Sequence, residues 1–162
     1  MASEDNKEIQ GSSENKEEFD DNVIMLNTHE KIDTSLCGDI EELKKGYSRV
    51  LLMTTESMRA DHVGLVHGGF IFSAADFAAM SAVNEKNVVL ANSNCQFLAP
   101  VRVGDSVMFE AQERQKEGRK RSVYVVGSVL DIKVFEGEFK TVVTDNHVLN
   151  LTLLDNVEDA VK

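Results

Sequence analysis

Tryptophan is missing from this 162-residue chain, proline occurs once, at Pro100, and cysteine twice, at Cys37 and Cys95. Two cysteines, neither in a Cys-x-x-Cys pair, exclude the disulfide framework that staples small secreted domains. Basic side chains are scarce as well: 17 Lys and Arg stand against 28 Asp and Glu, a net charge of −11. That balance leaves no basic footprint for duplex nucleic acid, so direct nucleic-acid binding is not expected. The longest apolar run is too short, and carries too central a carboxylate, to span a membrane. No basic-then-apolar leader opens the sequence, and the expected compartment is cytoplasmic. The four histidines form no set with cysteine or acid at a metal-ligand spacing, so no metal is expected.

What is present is unevenly spread. Residues 1–46 hold 13 acidic and 5 basic side chains, and residues 47–162 hold 15 and 12. The acidity thus belongs mainly to the first part, and the remainder is near neutral. Residues 1–22 are polar with few apolar groups and read as a disordered acidic tail, because they cannot bury enough surface to offset the entropy of ordering. Val23 to Leu26 is a short apolar run that could add a strand. In LCGDIEELKKGY, Leu36, Ile40 and Leu43 fall at helical spacing, with acids before Lys44 and Lys45 and Gly46 as a cap. Residues 23–46 therefore read as a linker carrying a short amphipathic helix.

The stretch around which the rest is organised is His67 to Asn84, HGGFIFSAADFAAMSAVN. Apolar and small residues surround this predicted helix almost completely, the pattern of a buried helix, and Asp76 is its only formal charge. At roughly 22 Å it would cross one small domain. The remaining segments read as strands: Tyr47 to Thr55, Val88 to Phe97, Ser106 to Glu113, Arg121 to Leu130, Asp131 to Val134 and Glu138 to Thr144, the last two joined by a turn at Glu136-Gly137. Pro100 suits an edge or a bend, and most joins after the helix are short enough for an antiparallel meander. Residues 146–162 could pack as a further strand or form a tail.

One buried helix in a strongly β remainder, opened by His-Gly-Gly and followed by CQFLAPVRVGD, resembles the hotdog-fold acyl-CoA thioesterases of the phenylacetyl-CoA type. Over residues 47–145 the resemblance implies an α+β hotdog domain, an antiparallel sheet wrapped around one long buried helix. Gly118-Arg119 and the strand around Val134 to Phe139 are also similar to the hotdog effector domain of a malonyl-CoA-responsive repressor of lipid synthesis. Residues 1–46 are too acidic and too poor in helical pattern to supply that repressor's helix-turn-helix.

The resemblance implies a homodimer whose two sheets join into one, with acyl-CoA sites at the subunit boundary; pairing of dimers into a tetramer stays open. It gives backbone N–H groups at Gly68 and Gly69 the task of holding the thioester oxygen, and makes Asp76 the base or nucleophile. No cofactor is implied beyond the coenzyme A thioester itself. On helix position alone, Asp76 reads first as a buried acid satisfied by backbone donors or by a dimer contact, and it is the motif match that favours a site. His67 would shape the turn before the helix. Asp61 stands where the family often has an Asn that positions water, and Leu90 where it often has a hydroxyl, with Ser93 the nearest. Phe72 and Asn84 join the substrate-binding candidates. In the one basic cluster, Arg114, Lys116, Arg119, Lys120 and Arg121, Arg119 and Lys120 are the candidates for the phosphates of coenzyme A, against a plain solvated turn. Two function classes follow: an acyl-CoA thioester hydrolase, or a sensor that binds acyl-CoA without turnover and reports lipid status.

Overall fold

The computed structural model describes residues 24–150. The long helix α2 runs Gly68–Val83, with His67 as N-cap and Asn84 as C-cap, so the motif read as a helix is one. Its buried side chains include Ile71, Ala74, Ala75, Phe77, Ala78, Ala79, Met80 and Ala82, all at 3% exposure or less. A helix apolar on all sides has to be enclosed. A single antiparallel sheet of six strands, in the order β1-β2-β4-β5-β6-β3, encloses it. The strands are β1 Asp39–Lys44, β2 Tyr47–Met53, β3 Val88–Phe97, β4 Ser106–Glu117, β5 Lys120–Val129 and β6 Ile132–Val143. Along β2, β4 and β5 alternate residues (Val50, Leu52; Val107, Phe109, Ala111; Val123, Val125) are fully buried and form one core with α2, the period-2 signature of a half-buried sheet. Ser48 ties the layers together by donating to the Ala78 carbonyl at 2.6 Å. Among the described residues no helix is long and apolar enough to cross a membrane.

The region before β2 departs from the expectation of an amphipathic helix. Helix stops after one short turn, α1 Thr34–Cys37, and the next six residues form β1. Gly38 makes the break: its φ of +91° leaves the helical region, and a Cβ there would lie 2.7 Å from Val50 Cγ1. Lys45-Gly46 then turns the chain back, with Lys44 opposite Tyr47. The charge order that mimicked a helix serves ion pairs instead, Glu42 meeting Lys44 at 2.6 Å and Arg49 at 3.7 Å. Residues 24–26 form no strand, and Val23 lies outside the described residues. The tail read over residues 1–22 lies outside them too, as does the C-terminal stretch beyond Asn150, before which Val148–Asn150 is a 3₁₀ turn.

Two further differences bear on the site. Glu136-Gly137 is no turn but the middle of β6, opposite Val126-Val125 on one side and Gln96-Cys95 on the other. Glycine is required there by close approach, since a Cβ on Gly137 would sit 2.6 Å from Cys95 Cβ. The real turn is Leu130-Asp131, both at positive φ, the paired left-handed geometry of a two-residue hairpin. The meander holds for β4–β5–β6, but β3 pairs with β6 at the far edge. The β3–β4 join, residues 98–105, therefore crosses the end of the sheet. It docks on the loop before α2 through Val66 N–H to Val101 O at 2.9 Å and Val103 N–H to Gly64 O at 2.9 Å.

Gly127 marks a close contact between aromatic rings in the core. A Cβ there would lie 2.8 Å from Phe109 Cε1 and 3.2 Å from Phe135 Cβ. Gly127→Ala is expected to cost about 1–3 kcal/mol, the range for overpacking a filled core; urea denaturation measures it, and an unchanged midpoint would refute the close packing.

Candidate active site

Two loops meet at the start of α2. Arg59 and Val66 form an antiparallel bridge, as do Leu65 and Arg102, and His67 N–H donates to the Met58 carbonyl at 2.9 Å. Asp61 closes the tip of the first loop: its Oδ1 accepts from the N–H groups of Val63 and Gly64 at 2.9 Å and of Leu65 at 3.1 Å. Those bonds hold the Asp61 carboxyl below the ordinary carboxylate range, because they favour its charged form.

His67 caps the helix through its side chain, Nδ1 accepting from Gly69 N–H at 2.8 Å. The imidazole lies so close that a Cβ on Gly69 would be 2.7 Å from Nδ1. The second glycine of the motif is thus fixed by the histidine before it. Of the two amides assigned to the thioester oxygen, Gly69's is taken in this state. Gly68 N–H, the first of the helix and one that no intrahelical carbonyl can reach, has no partner among the described residues. Beside it opens an apolar cleft of about 300 Å³ lined by Leu65, Val66, Ile71, Phe97, Pro100 and Val134. The Phe97 ring passes over Gly68, 3.3 Å from where a Cβ would be. The leading residue of a helix dipole therefore lies beside an apolar recess, an arrangement that favours negative charge on a bound oxygen.

Asp76 sits in the middle of α2. Its Oδ1 is buried with no hydrogen-bond partner, and desolvation raises its pKa from 3.8 to about 6. Burial is the cause of that rise. Eight residues separate Gly68 from Asp76 on one helix, a rise of about 12 Å. Phe72, one turn before Asp76, packs its ring 5.6 Å from that of Phe139.

The other sequence candidates lie elsewhere. Asn84, at φ +53°, ends the helix and clips the segment before α1 to it: its Nδ2 donates to Met25 O at 2.8 Å, and its Oδ1 accepts from Asn27 N–H at 2.7 Å. Arg119 is exposed and pairs with Asp145. Arg114 lies over the Tyr124 ring, 3.9 Å from its centre, while Lys120 lines a groove with Lys116 and Lys140. The basic cluster of the sequence thus divides into separate environments. Sequence reading passed over Leu65 and Lys140. An apolar residue in a polar loop just before His-Gly-Gly was the available signal for Leu65; Lys140 joins the groove only through strand pairing.

The family model for the thioesterase superfamily matches residues 63–130. The acyl-coenzyme A thioesterase PaaI of Escherichia coli is 31% identical over 123 residues, covering 72% of this chain and 82% of that protein. The chain belongs to the thioesterase superfamily. The uncharacterized protein PH1136 of Pyrococcus horikoshii, whose structure is solved, superposes with a TM-score of 0.78 at 40% identity, over 79% of this chain and 98% of its own, and the fold is the hotdog fold. A methylthioribose-1-phosphate isomerase of Aquifex aeolicus is 52% identical over 117 residues, yet this superfamily chain spans only 26% of it. The transcription factor FapR of a Thermoanaerobacter species is 30% identical over 72% of this chain, which spans 58% of that protein.

A carboxyl whose pKa rises from 3.8 to about 6 on folding holds its proton more tightly folded than unfolded. Its contribution favours the fold at low pH and is lost as pH climbs through that interval. Relative to the native protein, Asp76→Asn should therefore gain stability between pH 4 and pH 7, by something on the order of 2–3 kcal/mol. Paired urea titrations at the two pH values check this, since every other group titrates alike in both proteins; a constant difference would refute it.

Proposed function

We propose that this protein binds acyl-CoA thioesters at a site shared by two copies of the chain and hydrolyses them. The observation that carries the reading is the pairing, on one helix, of an unclaimed leading amide at Gly68 with a half-buried carboxylate at Asp76 whose Oδ1 has no partner among the described residues. Gly68 N–H, at the edge of the apolar cleft, stabilises the thioester oxygen in this reading as charge develops on it. Asp76, its pKa near 6, is mostly ionised at neutral pH yet basic enough to take a proton from water, or to attack the carbonyl itself. Water adds to the carbonyl carbon, the carbon–sulfur bond breaks, and the proton taken by Asp76 leaves on the coenzyme A thiol.

The separation of about 12 Å between these groups along the helix is too great for both to act on one carbonyl, since a general base has to come within roughly 3 Å of the proton it removes. A complete site therefore takes Gly68 from one copy and Asp76 from the other. Strand β3 stands at the end of the sheet with its outer edge unpaired among the described residues, and pairing of two such edges would join the sheets and remove an aggregation-prone boundary. A homodimer is the minimal active unit in this reading. The likeness to the E. coli acyl-coenzyme A thioesterase supports the substrate class.

A sensor that binds acyl-CoA without turnover is the second reading. It is favoured by His67 occupying Gly69 N–H, which leaves one donor for the oxyanion, and by the likeness to FapR.

Thiol release from acyl-CoAs of short, medium and long chain separates the two. Turnover lost in Asp76→Ala supports the hydrolase; no turnover, with thermal stabilisation by an acyl-CoA, supports the sensor. Gly68→Pro is the sharper probe, because proline suits the first helical position and removes an N–H the helix does not use; Gly68→Ala, which meets the Phe97 ring in the same way but keeps the N–H, is its steric control. The proline variant should lower kcat by about 10²–10³ relative to the alanine variant. Co-expression of Gly68→Pro and Asp76→Ala chains should restore activity that neither variant has alone, because a mixed dimer holds one site with neither defect. No recovery would place both groups in the same chain's site.

A further inference from the structure

Away from the helix cleft, a groove of about 760 Å³ opens at the end of the sheet that carries the β4–β5 hairpin. That volume falls within the roughly 300–1,000 Å³ typical of small-molecule sites. Its floor is built by cross-strand register. Gln115 pairs with Ser122, Ser122 with Lys140, and Lys140 with Asn92, so one row crosses β4, β5, β6 and β3; Glu117, Lys120 and Val142 form the next row. Because Val123 and Phe139 on the same strands are buried in the core against α2, alternation puts both rows on the opposite face of the sheet.

The charge in this groove runs against that of the chain. Lys116, Lys120 and Lys140 line it, with Glu117 the one acidic residue of the lining. Many cations of the described domain are matched to acids: Arg49 to Glu41 and Glu42, Arg59 to Glu56, Arg119 to Asp145, Arg121 to Glu113 and Lys133 to Glu136. The three groove lysines have no ion-pair partner among the described residues. The nearby acid Glu138 is engaged by Ser122, whose hydroxyl donates to it at 2.7 Å.

The hairpin bearing Lys120 is also fixed in place. Arg121, only 7% exposed, donates to the carbonyls of Gly118 at 2.7 Å and Lys120 at 3.1 Å. In a chain of net charge −11, most of it in residues 1–46, three unmatched lysines around a concavity with amide and hydroxyl groups on its floor make a surface suited to an anion.

We propose that this groove binds a phosphate ester of nucleotide size, its phosphates held by Lys116, Lys120 and Lys140 and its base or sugar resting among Asn92, Gln115 and Ser122. Two sources share that chemistry. One is the nucleotide end of a coenzyme A thioester, in which case the proposal rests on the acyl-CoA reading; the groove reaches the free β3 edge at Ala91 and Asn92, where a second copy would meet it. The other is a free nucleotide acting as a separate ligand.

Calorimetric titration of the full chain with adenosine 3′,5′-bisphosphate, coenzyme A and pantetheine tests it. Both phosphorylated probes should bind, and both should weaken at least ten-fold in Lys120→Glu/Lys140→Glu and in 0.5 M salt, which screens exposed charge. Pantetheine should be insensitive to either change. Exposed Lys31→Glu is the charge-matched control, and equal melting temperatures show that the double variant folds. Tighter binding of coenzyme A than of the bisphosphate identifies the first source, and equal binding the second. Failure of the phosphorylated probes to bind, or equal affinity in the double variant, overturns the proposal. The readout is binding rather than turnover, so an inactive protein and an empty groove are told apart.

Discussion

Everything in this structure depends on hiding one helix that has no polar side. Because α2 is apolar around its circumference, a flat sheet against one face would leave most of it wet. The sheet instead curls, with β2, β4 and β5 supplying the main contacts and β3 carried across to pair with β6. That crossing sends residues 98–105 over the open end of the sheet to dock on the loop before the helix. The same requirement that buries α2 therefore builds the walls of the cleft at its N-terminus. It also strands Asp76 in an environment that raises its pKa without giving its buried oxygen a partner.

The legible part of the fold was the part with strong period. The helix and β3 were readable residue for residue, because a continuous apolar stretch with capping groups and an alternating run leave little room for other conformations. The region before β2 misled because Leu36, Ile40 and Leu43 satisfy helical spacing while the decisive fact is tertiary: Gly38 lies against β2, where no side chain fits. The Glu136-Gly137 pair misled for a related reason. Glycine beside a charged residue is a turn signal in isolation, but here it records the approach of a neighbouring strand. Pairing order was not written locally at all, since β3 could have lain beside β4 with the same alternation.

The site was legible as an inventory and much less as an arrangement. His67, Gly68, Gly69 and Asp76 were all visible, because a histidine, two glycines and a single acid interrupt an apolar helix. That His67 claims one of the two glycine amides, and that Asp61 is committed to its own loop, follow from hydrogen-bond geometry that spacing does not encode. Asn84 shows the same limit: a polar residue at the end of a functional motif turned out to be a clip for the segment before α1.

The His67 cap has a consequence for how this surface can change. A helix of this kind normally leaves several leading amides to solvent, and a side-chain cap satisfies some of them at the expense of whatever ligand would use them. Here the cap takes the second amide and leaves the first, so structural satisfaction and chemical availability fall on neighbouring but different atoms. Drift in the capping residue and drift in the cleft can then proceed separately, the one tuning how firmly the helix begins and the other what its leading dipole faces. A lineage carrying this motif could retire or acquire reactivity at the cleft without reworking the core that encloses the helix.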